Sequence, residues 1–267
     1  MTNSIELTKH NGVATVILNR PDKHNAFDDD VIAQMTEAFN SIDRDDSIRL
    51  MVLASAGKSF SAGADLNWMK RMANYNYDEN LRDARALASM LKTLNNLSKP
   101  SIAKVQGAAF GGAVGLVSCC DIAIASSQAS FSLSEVKIGL IPATISPYVI
   151  AAIGTRAAQR LFITAERFSA EHALALNLVS EVCEHQLLEE RLSKLVQKIL
   201  ANSPAAVAAA KKLSNDISGA NIDDQLIEDT CKRIAAIRIS NEGQEGLASF
   251  LEKRPPSRIK QTNDVAT

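Results

Sequence analysis

No apolar stretch in this 267-residue sequence is long enough to cross a bilayer. The longest run of small and apolar residues, Ala108 to Cys120, falls short of the roughly 20 that a spanning helix needs, and it stops at Asp121. An excess of either charge is also missing: 29 Lys and Arg stand against 30 Asp and Glu, for a net charge of −1. Nothing in that balance draws the chain toward a phosphate backbone or an anionic lipid surface, so neither nucleic acid nor membrane is an expected partner. Cysteine is sparse. Cys119, Cys120, Cys183 and Cys231 form no CxxC pair and share no ligand spacing with the histidines, so buried free thiols are expected and a metal site is not. The first residues, MTNSIELTKH, lack the basic start, apolar middle and small-residue cleavage site of a secretory signal, and they are not an Arg-rich amphipathic transit segment. The expectation is a cytoplasmic protein without fixed-period repeats or low-complexity segments.

What is present is an ordinary globular composition, 46% hydrophobic and 22% charged, in a chain long enough for one main core with an appendage. "VATVILNRP" (Val13 to Pro21) is β-branched and ends in Asn-Arg-Pro, the pattern of a strand leaving a sheet. From Asp28, residues Val31, Met35, Ala38, Phe39 and Ile42 recur at helical spacing behind three aspartates that suit a helix N-terminus. Further strands are expected at Ile48–Ala56, Pro100–Gly107 and Asp121–Ser126, with helices at about 79–97 and 112–120. Strands alternating with helices predict an α/β core with parallel pairing. Beyond about Glu166 the strand signals stop. Leu188, Leu192, Leu195, Val196 and Ile199 make a helical stripe, and "SPAAVAAAKKL" and "IEDTCKRIAAI" extend a helical tail whose apolar face must be buried on the core or on a second copy. The expected division is an α/β core over 1–200 and a helical oligomerisation region over 201–267.

The segment "QGAAFGGAVGLVSCCD" (Gln106 to Asp121) spends Gly111, Gly112 and Gly115 where bulkier residues would pack better. A dinucleotide fingerprint fails, because Phe110 stands where GxGxxG needs its first glycine. What Gly111 and Gly112 do supply is a backbone free to take unusual dihedrals at a helix start, where unpaired N–H groups can hold an oxyanion. "SFSAGADL" (Ser59 to Leu66) offers a second such loop around Gly63. A tight turn is the blander reading of either loop alone; two of them clamping one carbonyl oxygen is the sharper one.

These segments, with "LNRPDKHNAF", "FSLSEVKIGLIPA", "TAERFSAEHALALNLVSEV" and "EGLASFLEKRPP", resemble in order and over almost the whole chain the motifs of the crotonase, or enoyl-CoA hydratase/isomerase, family. The resemblance implies a spiral of ββα turns with a C-terminal helical trimerisation region, assembled as a homotrimer or a dimer of trimers and acting on acyl-CoA thioesters with no cofactor beyond the CoA of the substrate. It places the two oxyanion-hole amides on Ala64 and Gly112 and the catalytic carboxylate on Glu135. It places substrate contacts at Ala26, Ala62, Asp65, Leu66 and Gly111, with Phe250 and Lys253 reaching in from a neighbouring subunit. "FSAGADLNWMKRM" and "SLSEVKIGLIPATISPYVI" look closest to the bacterial methylglutaconyl-CoA hydratases of leucine and isoprenoid breakdown. A second carboxylate on the substrate would want a cation, for which Lys70 and Arg71 are candidates, although two basic residues on a helix are more often a solvated face. His24 and His172 receive no role.

One departure divides the readings. Family hydratases typically pair two glutamates; here the first position is Gly115 and only Glu135 remains. Hydration asks for a base toward water and an acid toward the α-carbon, tasks that two carboxylates share easily, whereas one carboxylate suffices to move a double bond. A hydratase is the first expectation, an enoyl-CoA isomerase using Glu135 alone the second. A non-catalytic CoA-thioester or RNA-binding module is the third, with the balanced charge weighing against RNA.

Overall fold

The computed structural model describes residues 4–257. The chain opens as an antiparallel hairpin, β1 (Ile5–His10) and β2 (Val13–Leu18). Its two-residue turn is Asn11-Gly12, both at positive φ (47° and 78°), the combination that matches the twist of the flanking strands. Then come α1 (Asp29–Asp43), β3 (Leu50–Ser55), α2 (Leu66–Met72) and α3 (Tyr77–Asn95). After them run β4 (Ser101–Val105), β5 (Ala109–Phe110), α4 (Gly112–Cys119), β6 (Ile122–Ser126) and β7 (Ser130–Ser132). The chain continues through a 3₁₀ turn (Glu135–Ile138), α5 (Ser146–Thr164), β8 (Arg167–Ser169), α6 (Ala170–Ala175) and β9 (Glu181–Cys183). It closes with α7 (Leu188–Ala201), α8 (Pro204–Ile217), α9 (Asp224–Ile239) and α10 (Asn241–Leu251).

The six-stranded sheet runs β1-β2-β3-β4-β6-β9, parallel at every pairing except the opening hairpin. A three-stranded sheet, β5-β7-β8, lies beside it. Single bridges, Phe27 to Ala64 and Ser61 to Ala109, join the loops of successive turns to that smaller sheet. Each turn of the chain thus contributes one strand to the large sheet and one short extended segment to a second layer. This is the ββα spiral expected from the resemblance.

One face of the large sheet carries the main core, where Met51, Leu53, Ala103, Val105 and Ala125 meet α1, α3 and α4 through Phe39, Leu91, Leu94 and Leu116. The other face has its own cluster, Leu50, Ile102 and Ile124, covered by Leu188, Leu192, Leu195, Val196 and Ile199 of α7. The helical stripe of α7 is therefore buried against its own sheet and is not left for a neighbour. The expectation that strands end near Glu166 is also corrected: β8 and β9 follow it. Both are three residues long, too short to show the alternation by which a strand is read.

The expected boundary after residue 200 falls in the last turn of α7. Lys211 of α8, only 8% exposed, is drawn onto Asp121 at 2.8 Å and the Lys99 carbonyl at 3.1 Å, which ties this helix to the edge of the core. The last ten residues of the expected tail, 258–267, lie outside the described residues. Among the described residues no helix is long and apolar enough to cross a membrane. All four cysteines are free, and burial pushes the Cys120 thiol up to about 12 and the Cys119 thiol higher still, so neither offers a thiolate near neutral pH.

Candidate active site

Arg20 fixes the first loop. Its guanidinium donates to the Ala26 carbonyl at 3.0 Å, to Asp28 at 2.9 Å and to Asp65 at 3.0 Å, and the arginine side chain is only 14% exposed. Residues 24–27 are thereby held against residues 62–65. The Ala62 amide donates to the His24 carbonyl, the Phe27 amide to Gly63 and the Asp65 amide to Phe27. In this parallel bridge Ala64 lends neither of its polar groups to Phe27. Its N–H faces the other way, and among the described residues it has no acceptor. Gly63 makes the turn possible with φ 91°, and a side chain there would start 3.0 Å from the Phe110 carbonyl.

The second loop ends β5. Gly111 has φ 55° and ψ −124°, a conformation that L-residues rarely adopt, and its amide donates to the Ser132 carbonyl. Gly112 then begins α4, so its N–H is one of the amides a helix start leaves unpaired. A methyl carbon at Gly112 would come within 2.6 Å of the Phe27 ring, and Phe27 is also the residue bridged to Ala64. The two loops are thus locked together through one buried aromatic. Here the glycines serve close approach of the backbone to neighbouring parts of the chain.

Ala64, Gly112 and Glu135 line one cleft of about 360 Å³, walled mainly by apolar side chains including Trp68, Leu87, Leu140 and Ile145. Glu135 sits at the start of its 3₁₀ turn, with Oε1 3.2 Å from where a Gly111 side chain would begin. Its Oε2 is buried without a hydrogen-bond partner. Burial pushes the carboxyl above its ordinary range, offset in part by its own backbone amide. A desolvated carboxylate with an idle oxygen beside two unclaimed N–H groups can move protons at a carbon whose carbonyl those groups polarise. A larger depression of about 580 Å³ between Ser98 and α8 lacks such convergence, and its charged residues Lys211, Lys212 and Asp216 are paired with acids and bases of their own.

At Gly115 the reason for the missing carboxylate is steric. A side chain there would start 2.3 Å from Cγ2 and 2.8 Å from Cβ of Ile145, with Leu91 at 3.6 Å. The space that a second acid would use is filled by hydrocarbon.

The structure also corrects one assignment. Asp65, expected to contact substrate, has a side chain only 6% exposed. It accepts from the Asn67 and Trp68 amides as the N-cap of α2 and is paired with Arg20 and Lys23. Although burial works against its charge, those two amides and Lys23 hold its carboxyl below the ordinary range. Its place is structural because every acceptor direction is spent inside the chain. Ala26 is buried, while Ala62 and Leu66 are exposed on the loop leading into α2. Phe250 (81% exposed) and Lys253 stand on the tail surface, outside the lining of this cleft. Neither expected cation lines the cleft: Arg71 is paired with Asp29, and Lys70 is two residues from both Trp68 and Met72, on the opposite side of α2. His24 meets the Ser59 hydroxyl at 3.1 Å and His172 packs edge-on to Phe168, both structural contacts.

Sequence reasoning missed Arg20, Phe27, Asp83 and Thr144. The first is foreshadowed by "NRP", the second by nothing but its bulk. Asp83 sits amid "LRDAR" and reads as a solvated helix face, yet it lines the cleft and accepts from the Trp68 indole N–H at 2.9 Å.

Known proteins share this arrangement. Residues 8–261 match the family model described as enoyl-CoA hydratase/isomerase. A crystal structure of an enoyl-CoA hydratase from Shewanella pealeana superimposes with a TM-score of 0.92 at 46% identity, covering 96% of both chains. The short-chain-enoyl-CoA hydratase of Clostridium acetobutylicum is 32% identical over 254 residues, 94% of this chain and 96% of that one. The mitochondrial Delta(3,5)-Delta(2,4)-dienoyl-CoA isomerase of Dictyostelium discoideum is also 32% identical over 254 residues, 91% of this chain and 86% of its own. With the fold, the paired glycine loops and the extent of the match in agreement, the chain belongs to the enoyl-CoA hydratase/isomerase family.

Proposed function

We propose that the protein is an enoyl-CoA hydratase that adds water across the α,β double bond of an acyl-CoA thioester. The observation that carries this reading is the buried, unpartnered Oε2 of Glu135 in the same cleft as the free amides of Ala64 and Gly112. The thioester oxygen accepts from the two amides. Glu135, ionised, takes a proton from water as the water oxygen bonds to the β-carbon, and the electron pair of the double bond moves into an enolate held by the same amides. The Glu135 carboxylic acid then returns its proton to the α-carbon, restoring the carboxylate. One carboxylate thus completes the addition, its raised proton affinity making it a competent acid in the second step. Each amide is worth on the order of 100- to 1000-fold in rate.

The hydrocarbon filling the Gly115 position favours a second reading, an enoyl-CoA isomerase. There Glu135 removes a proton from the α-carbon of a 3-enoyl thioester and returns it at the γ-carbon, leaving the double bond conjugated. The assay that separates them follows thioester conjugation: a hydratase consumes it with crotonyl-CoA, an isomerase creates it from a 3-enoyl-CoA. Retention of both activities by Glu135→Gln would overturn both mechanisms.

The finer substrate expectation, methylglutaconyl-CoA, rests on the resemblance of "FSAGADLNWMKRM" and its companion segments. The cleft's own lining gives it no support, since no lysine or arginine is there to meet a second carboxylate. We also propose a homotrimer or dimer of trimers, supported by the apolar surface that α9 and α10 leave exposed at Ile234, Ile239, Leu247, Phe250 and Leu251.

A further inference from the structure

We propose that Asp83 is a selectivity residue that turns acyl groups ending in a carboxylate away from the cleft. The inference rests on the acyl-thioester reading of the site and names the class of acyl group it takes.

The cleft is apolar along most of its lining and carries two acidic groups. Among the described residues its charged lining residues are Glu135 and Asp83, and none of the lining residues is a lysine or arginine. Their positions differ. Leu91 of α3 lies against Gly115, one helical turn from the Gly112 amide. Asp83 precedes Leu91 by two turns on the same helix, about 12 Å along its axis, so it lines the cleft beside Trp68 and away from the Gly115 end. It is also fixed. The indole of Trp68, a residue only 4% exposed, donates to its Oδ2 at 2.9 Å, while among the described residues no hydrogen-bond partner claims Oδ1. The basic residues nearest in sequence, Arg82 and Arg85, are exposed and outside the lining, and Arg71 is held by Asp29. A second negative charge entering this partly dry space meets like charge from both acids and nothing to pair with. A neutral chain meets hydrocarbon along most of its length.

Binding of saturated thioesters tests this without any turnover. The assembled full-length protein is titrated calorimetrically with pentanoyl-CoA and with glutaryl-CoA, which have the same number of acyl carbons but differ by the terminal carboxylate. Pentanoyl-CoA is expected to bind at least about tenfold more tightly. Asp83→Asn, whose amide oxygen still accepts from Trp68, is expected to bring the ratio below about threefold by tightening glutaryl-CoA. Trp68→Phe, which frees the carboxylate to turn toward solvent, should lower the ratio as well. Equal or tighter binding of glutaryl-CoA by the wild type, or a ratio unmoved in both variants, would overturn the proposal while leaving the thioester site standing. Failure of both thioesters to bind would overturn the site reading and the selectivity with it.

Discussion

In the proposed mechanism Glu135 concentrates the chemistry in one carboxyl group, and its environment makes two measurable predictions. Burial raises its proton affinity, so the base form is lost as pH falls through a pKa above the usual carboxylate range. The acid limb of kcat/KM should therefore lie higher than for an exposed glutamate and vanish in Glu135→Gln, which should lose at least about 100-fold in rate. Stability moves the other way. A group whose folded pKa is raised penalises the folded state once pH exceeds its unfolded value. Glu135→Gln should accordingly melt above the wild type, by a Tm difference that grows as pH rises above the ordinary carboxylate range and levels off once the raised folded pKa is passed. A difference that shrinks with pH would show that the carboxylate is solvated after all. Gly115 gives a third prediction at this scale: Gly115→Ala forces Ile145 to move and should cost about 1–3 kcal/mol in denaturant unfolding, and Gly115→Glu should be less stable still without any gain in hydration rate. The importance of Gly111 and Gly112 was legible in the sequence, because glycine at a helix start has few other uses. That Gly115 is glycine because of Ile145, thirty residues on, was not, since it depends on how α4 meets α5.

Among the elements, those read correctly share one property: their residues face one consistent environment over several turns or a full strand. The stripe of α1 and the uniformly buried β3 are of this kind. β1 escaped notice because only Ile5 of its six residues is buried, which erases alternation; the signal available was the Asn11-Gly12 turn that follows it. α5 was missed because Gly154, at φ 75° and ψ 158°, interrupts its helical course. The loops on which the site depends are held less by their own propensities than by Arg20, which ties Asp28 to Asp65. Arg20→Ala should therefore cost about 3 kcal/mol, because poorly exposed Asp28 loses its cation and buried Asp65 keeps only the more distant Lys23, and the rate should fall along with the stability as the Ala64 loop loosens. Asp65, which against the opposing effect of burial is held below its ordinary pKa by the Asn67 and Trp68 amides and Lys23, stays charged opposite Arg20 at neutral pH and is neutralised as pH falls through that lowered value, so the Arg20 effect should shrink in acid. An effect that persisted at low pH would assign Arg20 to packing alone.

For the whole molecule, the spiral explains why residues as distant in sequence as 64, 112 and 135 share a cleft: each turn of the chain delivers one loop to the same side of the layer that runs through the Phe27–Ala64 and Ser61–Ala109 bridges. The α/β class was legible from alternation of elements, while the partition of helices was not. α7 closes the back of the sheet, leaving α9 and α10 with the unburied apolar surface. If these form the proposed contacts between copies, Ile239→Asp or Leu251→Asp should shift the mass measured by light scattering to that of a monomer, and an unchanged mass would place the interface elsewhere.

In the proposed mechanism the donors that grip the substrate oxygen belong to the main chain, and this has a genetic consequence. Every codon except proline's supplies an N–H at residue 64, so the donor itself survives any substitution small enough to leave the cleft open. Catalysis in this protein is vulnerable to changes of backbone path, through Gly112, Phe27 or an inserted residue. A survey that scores side chains alone would overlook half of what the enzyme uses.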